Sequence, residues 1–155
     1  MIRKSKISDV KDIHSILMLN AQEGILLGRS LSDLYDQLRD FIVYVDPQDN
    51  SIVGTCALHI CLDDIAEIRS LAVRENHKAR GVGRQMVDAC IAEALQIGIK
   101  KLFVLTYVPE FFVKLGFNPV DKSVLPHKVW SDCVHCIKFP DCDEEALMRE
   151  IGKSS

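Results

Sequence analysis

The chain has 155 residues, of which 48% are hydrophobic and 26% charged, the balance of a soluble globular protein of one ordinary domain. A chain of this length buries about 68–70% of the surface its unfolded form exposes, so it needs neither disulfide nor metal to fold. A formal net charge of -3 gives no reason to expect nucleic acid as partner, and no stretch approaches the roughly 20 apolar residues of a membrane span.

The N-terminal segment MIRKSKISDVKDI is basic but has no continuous apolar region, so it does not read as a secretory signal. The expected compartment is the cytoplasm, with the six cysteines as reduced thiols. Cys56, Cys61 and Cys90 lie in apolar surroundings, whereas Cys133, Cys136 and Cys142 cluster.

Residues 2–7 read as a short strand. Ser8 then caps a helix that carries Val10, Ile13, His14, Leu17 and Met18 at helical spacing. A glycine-flanked loop, EGILLGRS, follows. Ser30 and Asp33 resemble a capping box and open a second helix through about Arg39. FIVYVD (41–46), SIVGTCALHICL (51–62) and AEIRSLAV (66–73) are strands, and their order suggests an antiparallel meander. RENHKARGVG is a loop running into a long helix with Val82, Met86, Val87, Cys90, Ile91, Ala94 and Leu95 on one face, stopped at Gly98. KLFVLTYV (101–108) is a buried strand. PEFFVKLG is a short helix with proline in its first turn, and Phe117 to Val120 form a further strand. One long helix separates the strands at 66–73 and 101–108, which predicts a βαβ unit and a parallel pair.

The segment Lys78-Ala79-Arg80-Gly81-Val82-Gly83-Arg84 lies between a strand and a helix. A helix start leaves backbone N–H groups unpaired and carries partial positive charge, which suits a pyrophosphate. Glycine at 81 and 83 clears the approach, and Arg80 and Arg84 add charged donors. The spacing is not the dinucleotide fingerprint, since Met86 stands where a third glycine is needed, and no Gly-Lys-Ser/Thr is present.

This segment resembles the acetyl-CoA motif of the GNAT acetyltransferase superfamily, Arg/Gln-x-x-Gly-x-Gly/Ala, with Lys78 in the first position. The preceding Leu71-Ala72-Val73 and the later Leu115-Gly116-Phe117 match the family's pattern too, and its element order covers nearly the whole chain. The resemblance implies an α/β (α+β) GNAT fold: a mixed sheet of about six or seven strands, splayed at the acetyl-CoA site and flanked by about four helices. It implies one domain over 1–155, with a cysteine-containing tail from about residue 121. It also implies that backbone groups of Leu71 and Val73, with Ala72 between them, meet the pantetheine arm. The amides from Ala79 to Arg84, Val82 among them, would meet the pyrophosphate.

Further stretches resemble the N-acetylglutamate synthases of arginine biosynthesis, in their short stand-alone form. These are Gln22 to Leu26 with Arg29-Ser30, Glu67 to Val73, Leu102 to Thr106, Phe117 to Leu125, Lys128-Val129-Trp130, and Asp132-Cys133-x-x-Cys136 with Cys142-Asp143-Glu144. The implied reaction is acetyl transfer from acetyl-CoA to the amino group of L-glutamate, with no metal required. An amine must lose a proton before it attacks a thioester, and Glu67 is the candidate base; a solvated strand-end carboxylate is the plainer reading. Many family members carry a tyrosine four residues before the glycine of the short helix, where this chain has Phe112. Ser70 and Tyr107 are therefore the substitute acids, although Tyr107 also reads as an ordinary strand aromatic. An N–H near Leu71 would hold the oxyanion. For the acceptor's carboxylates Arg29 comes first, because its planar fork binds a carboxylate in bidentate fashion. Arg69, Lys122 and Lys128 follow, each equally readable as a surface charge.

The pattern Cys133-Val134-His135-Cys136, with Cys142 beyond, has metal-like spacing at its start. A histidine squeezed between two close cysteines, and the lack of a second Cys-x-x-Cys, favour a reduced cluster or a redox-sensitive disulfide over a metal. Trp130 reads as core, lid anchor or part of a homodimer contact. Three rival functions stand beside glutamate acetylation: a GNAT enzyme for another amine, a non-catalytic acyl-CoA-binding sensor, and a small metal-binding interaction protein built on the cysteine tail.

Overall fold

The computed structural model describes residues 1–24, 28–127 and 144–152, with the backbone alone at Ala79. Its strands are β1 (Ile2–Lys4), β2 (Phe41–Val45), β3 (Ile52–Ile60), β4 (Ile65–Val73), β5 (Lys101–Thr106), β6 (Asn118–Val120) and β7 (Glu145–Glu150). Its α-helices are α1 (Val10–Gln22), α2 (Leu31–Asp36), α3 (Val82–Gln96) and α4 (Pro109–Lys114). The strands form a seven-stranded sheet in the order β1-β2-β3-β4-β5-β7-β6. The antiparallel meander of β2, β3 and β4 is present, and β4 pairs with β5 in parallel, as the intervening helix requires.

Apolar residues on both faces of the sheet explain the layering. Val82, Met86, Val87, Cys90 and Ala94 of α3 pack with Cys56, Leu58, Ile68 and Val104 on one face. Val10, Ile13, Ile16 and Leu17 of α1 pack with Leu34, Val43, Ala57 and Ala72 on the other. Gly54 lets α3 come close: a Cβ there would stand 2.7 Å from Met86 Cε. The expected stripe on α3 is narrower than its sequence suggests, since Leu95 is exposed and Ile91 half-buried. Gly98 ends the helix with φ +93. Cys56, Cys61 and Cys90 are buried. The neighbouring Cys90 thiol and burial push Cys56 well above its ordinary range, so it is core rather than a nucleophile.

Four details depart from expectation. Ser8 does not cap α1. Asp9 holds the N-cap position without a side-chain cap bond, and its carboxylate accepts the Lys6 N–H at 2.7 Å and both prongs of the Arg3 guanidinium at 2.7 and 3.1 Å. The first strand stops at Lys4, and α2 stops at Asp36 before a 3-10 turn at Leu38–Asp40. The tail contains β7, which inserts between β5 and β6 and pairs along the whole length of β5. Its sequence, Glu-Ala-Leu-Met-Arg-Glu, consists of strong helix formers. Pairing on both edges overrides that local preference.

Candidate active site

The parallel pairing of β4 and β5 is confined to Ile65, Ala66 and Glu67 against Lys101, Leu102 and Phe103. Among the described residues, β4 beyond Glu67 and β5 beyond Phe103 have no ladder partner across this gap. The splay coincides with a bulge. Thr55 faces Ala72 and Ala57 faces Arg69, so Ser70 and Leu71 together oppose Cys56, and Ser70 adopts φ +57. A bulge re-aims the strand beside the gap and frees backbone groups that a regular ladder would consume.

Leu71 is half-buried, while Ala72 and Val73 are buried. From Val73 the chain runs through a 3-10 turn at Glu75–Arg80 to Gly81, which caps α3 in the left-handed conformation at φ +76. The first backbone bond of α3 runs from the Gln85 N–H to the Gly81 oxygen, and among the described residues no side chain caps the preceding amides. The N–H groups of Val82, Gly83 and Arg84 thus form a donor set at a positive helix end. Gly81 has nothing within 4 Å of where a Cβ would be, and at Gly83 a Cβ would stand 3.2 Å from Phe111 Cζ. Val82 and Gly83 are buried, whereas Arg80 and Arg84 are exposed. This arrangement fits a pyrophosphate.

Lys78 is already engaged. Its ammonium lies 3.0 Å from Glu75 and 3.1 Å from Glu23 at the end of α1. Burial pulls its pKa down, but the hydrogen bonds to Glu75 and Glu23 outweigh that and leave it raised. A cavity of about 400 Å³ beside it is lined by Ile16, Leu19 and Asn20 of α1, by Glu23 just past its end, and by residues 74–76 and Lys78.

On the α1–α2 face, four of the expected residues come together. Arg29 Nε donates to Ser70 Oγ at 2.8 Å. Arg69 Nη1 lies 3.4 Å from Glu67 Oε1, with both side chains about nine-tenths buried. Gln37 links the two arginines: its Oε1 accepts from Arg69 Nη2 at 2.7 Å and from Arg29 Nη1 at 3.5 Å. Glu67 is 8% exposed and sits where β4 and β5 last pair. Tyr107 follows β5 with its hydroxyl shielded from solvent. Lys122 lies in the 3-10 turn after β6, at the other end of the sheet from β1. Lys128, Trp130, His135, Cys133, Cys136 and Cys142 lie outside the described residues.

Sequence reasoning missed Gln37, Glu23 and Phe111. Glu75 and Lys78, three apart in a turn, carried a legible spacing. Nothing local to Gln37 or Glu23 announces partners that come from other elements.

Residues 11–117 match the model of the Acetyltransferase (GNAT) family. The chain belongs to that family of acetyltransferases. An uncharacterized N-acetyltransferase of Chlorobaculum tepidum is 35% identical over 150 residues, covering 97% of this chain and 96% of that protein. The amino-acid acetyltransferase of Mycobacterium tuberculosis is 31% identical over 133 residues, covering 85% of this chain and 76% of that one. Among solved structures, N-acetylglutamate synthase from Neisseria gonorrhoeae, complexed with coenzyme A and N-acetyl-glutamate, superposes with TM-score 0.88 at 26% identity. That match covers 99% of this chain but 35% of the synthase. Among the described residues no helix is long and apolar enough to cross a membrane.

Proposed function

We propose that the chain transfers the acetyl group of acetyl-CoA to the α-amino group of L-glutamate by direct attack in a ternary complex, the first step of arginine biosynthesis, in the cytoplasm. The observation that carries this reading is the convergence of Arg29 and Arg69 beside a buried carboxylate, Glu67, at the mouth of the β4–β5 gap. Two guanidiniums suit an acceptor with two carboxylates. The named activities of the relatives support the same chemistry.

In this mechanism the amides of Val82, Gly83 and Arg84, with Arg80 and Arg84 nearby, hold the pyrophosphate. The open edge of β4 at Leu71 and Val73 holds the pantetheine arm. Acetyl-CoA supplies an activated acyl group whose C–S bond breaks as the C–N bond forms. Glu67 takes the proton from the glutamate ammonium, directly or through water, and so frees the lone pair that attacks. A strand amide near Leu71 donates to the oxyanion of the tetrahedral intermediate. Ser70 or Tyr107 returns a proton to the departing sulfur. The Ser70 oxygen accepts from Arg29, which leaves its own hydrogen for donation. A thiol of ordinary pKa, about 8.5, leaves readily even with modest help.

Steady-state kinetics of Arg29→Ala and Arg69→Ala test the acceptor assignment. Loss of one charge-assisted bond, about 1.5–3 kcal/mol, raises the glutamate KM about tenfold to a hundredfold and leaves the acetyl-CoA KM unchanged. An unchanged glutamate KM in both variants removes the arginines from the site.

A further inference from the structure

We propose that His59, held by Asp40, carries the proton from Glu67 out to solvent in each turnover. The proposal rests on the acetyl-transfer reading above, with Glu67 as the base, but not on which amine is the acceptor. An amine bound as ammonium loses two protons on becoming an amide. The departing thiolate takes one and becomes the CoA thiol. The other is left on Glu67, and the net reaction releases it: an ammonium and acetyl-CoA give the N-acetyl product, the CoA thiol and one proton. Glu67 must shed that proton before the next turnover. Yet the residue is 8% exposed, with Arg69 Nη1 3.4 Å from its Oε1.

His59 stands beside this carboxylate. In the antiparallel β3–β4 ladder it is the register partner of Glu67, so both side chains leave the same face and their Cβ atoms lie roughly 4.5–5.5 Å apart. Its Nδ1 lies 2.7 Å from Oδ2 of Asp40, in the 3-10 turn that follows α2. An ionised carboxylate only accepts, so Nδ1 donates, and Nε2 is the basic nitrogen of the neutral ring. A proton taken at Nε2 gives an imidazolium that faces the Asp40 carboxylate at hydrogen-bond distance. Exposure rises along the same line: Glu67 is buried, whereas the side chains of His59 and Asp40 are 22% and 27% exposed. Imidazole gains and loses a proton near neutral pH, so it can accept from Glu67 and release to water. The charged residues of β4 and of the turn are Glu67, Arg69, Arg39 and Asp40, so neither element carries a second histidine or a lysine for the same role.

His59→Asn and His59→Ala separate a relay from a brace. In the first, an amide nitrogen takes the place of Nδ1 and keeps a donor for Asp40, but no group there accepts a proton. The second leaves room for a free base. Both are assayed by CoA release above an enzyme-free blank, with and without added imidazole. The acceptors are L-glutamate, L-aspartate, L-glutamine and a panel of other amines. In His59→Asn kcat falls by about tenfold to a hundredfold, reaching the lower end of the range for a positioned acid–base group, while the KM for acetyl-CoA keeps its wild-type value. Added imidazole restores kcat in both variants, more fully in His59→Ala, and leaves the wild type unchanged. A His59→Asn enzyme with wild-type kcat overturns the proposal. Slow variants that imidazole does not speed overturn it too, since the pair then only braces the turn against β3. The same pattern of loss and rescue with an amine other than glutamate upholds the relay and sinks the glutamate reading instead. Wild-type protein that releases no CoA with any of the amines overturns both.

Discussion

Replacing Gly54 and Met86 together tests how closely α3 is held against the sheet. Met86 is fully buried, and its Cε and Sδ would lie 2.7 and 3.3 Å from a Cβ at position 54, with Val82 Cγ1 at 3.1 Å. Gly54→Ala therefore overfills the contact and costs about 1–3 kcal/mol unless the flexible thioether swings aside. Met86→Ala deletes a buried side chain and costs about 2–5 kcal/mol. Each change relieves the other, because the new methyl occupies space vacated by the thioether. The double variant should be less destabilised than the sum by roughly 1–3 kcal/mol, a coupling of the size seen for residues in contact. Urea denaturation followed by circular dichroism measures all four corners of the cycle. The same series should raise the acetyl-CoA KM in Gly54→Ala, since a shifted α3 displaces the amides of Val82, Gly83 and Arg84. Strict additivity within about 0.3 kcal/mol would refute the packing argument.

Further outcomes are expected at other positions. Gly81→Ala meets no neighbouring atom but must hold φ +76, so it costs about 1–2 kcal/mol and raises the acetyl-CoA KM while sparing the glutamate KM; thermal unfolding and kinetics check both. Glu67→Gln keeps size and removes basicity, so kcat falls by about 10²–10⁴; full activity would assign the proton to water or another group. Asp9→Asn removes the negative charge and one of the two oxygens that Arg3 and Lys6 use, and costs about 1–3 kcal/mol at neutral pH. The Arg3 hydrogen bond, against the opposing effect of burial and with help from the Lys6 N–H, holds the Asp9 carboxyl below its ordinary value. A depressed folded-state pKa gives stability that is present above the unfolded value and lost as pH falls through the folded one. The difference between Asp9→Asn and wild type should accordingly vanish in acid unfolding series, and a gap that persists undiminished at low pH would contradict the ion-pair account.

The sequence carried the elements whose signals are local. The strand-forming runs of β2–β4, the glycine at the start of α3, the stop at Gly98 and the cap at Ser30 all depend on residues within a few positions of one another, and all are present. What escaped depends on partners far along the chain. Asp9 and not Ser8 holds the N-cap position of α1, and its carboxylate is tied to Arg3 of β1. The helix-forming segment 145–150 becomes β7 because two strand edges await it. At the site, Arg29, Arg69, Glu67 and Ser70 were readable as residue types, and their convergence on β4 is a product of the bulge at Ser70. Gln37 was invisible, since its role consists entirely of two contacts 8 and 32 residues away.

The central claim is acetyl transfer to glutamate, and the most direct measurement is CoA release from acetyl-CoA with L-glutamate as acceptor, against L-aspartate, L-glutamine and no acceptor. The account predicts release with glutamate well above all three controls, with N-acetylglutamate as the product. Release no greater than the blank, from protein that still binds acetyl-CoA, would contradict it.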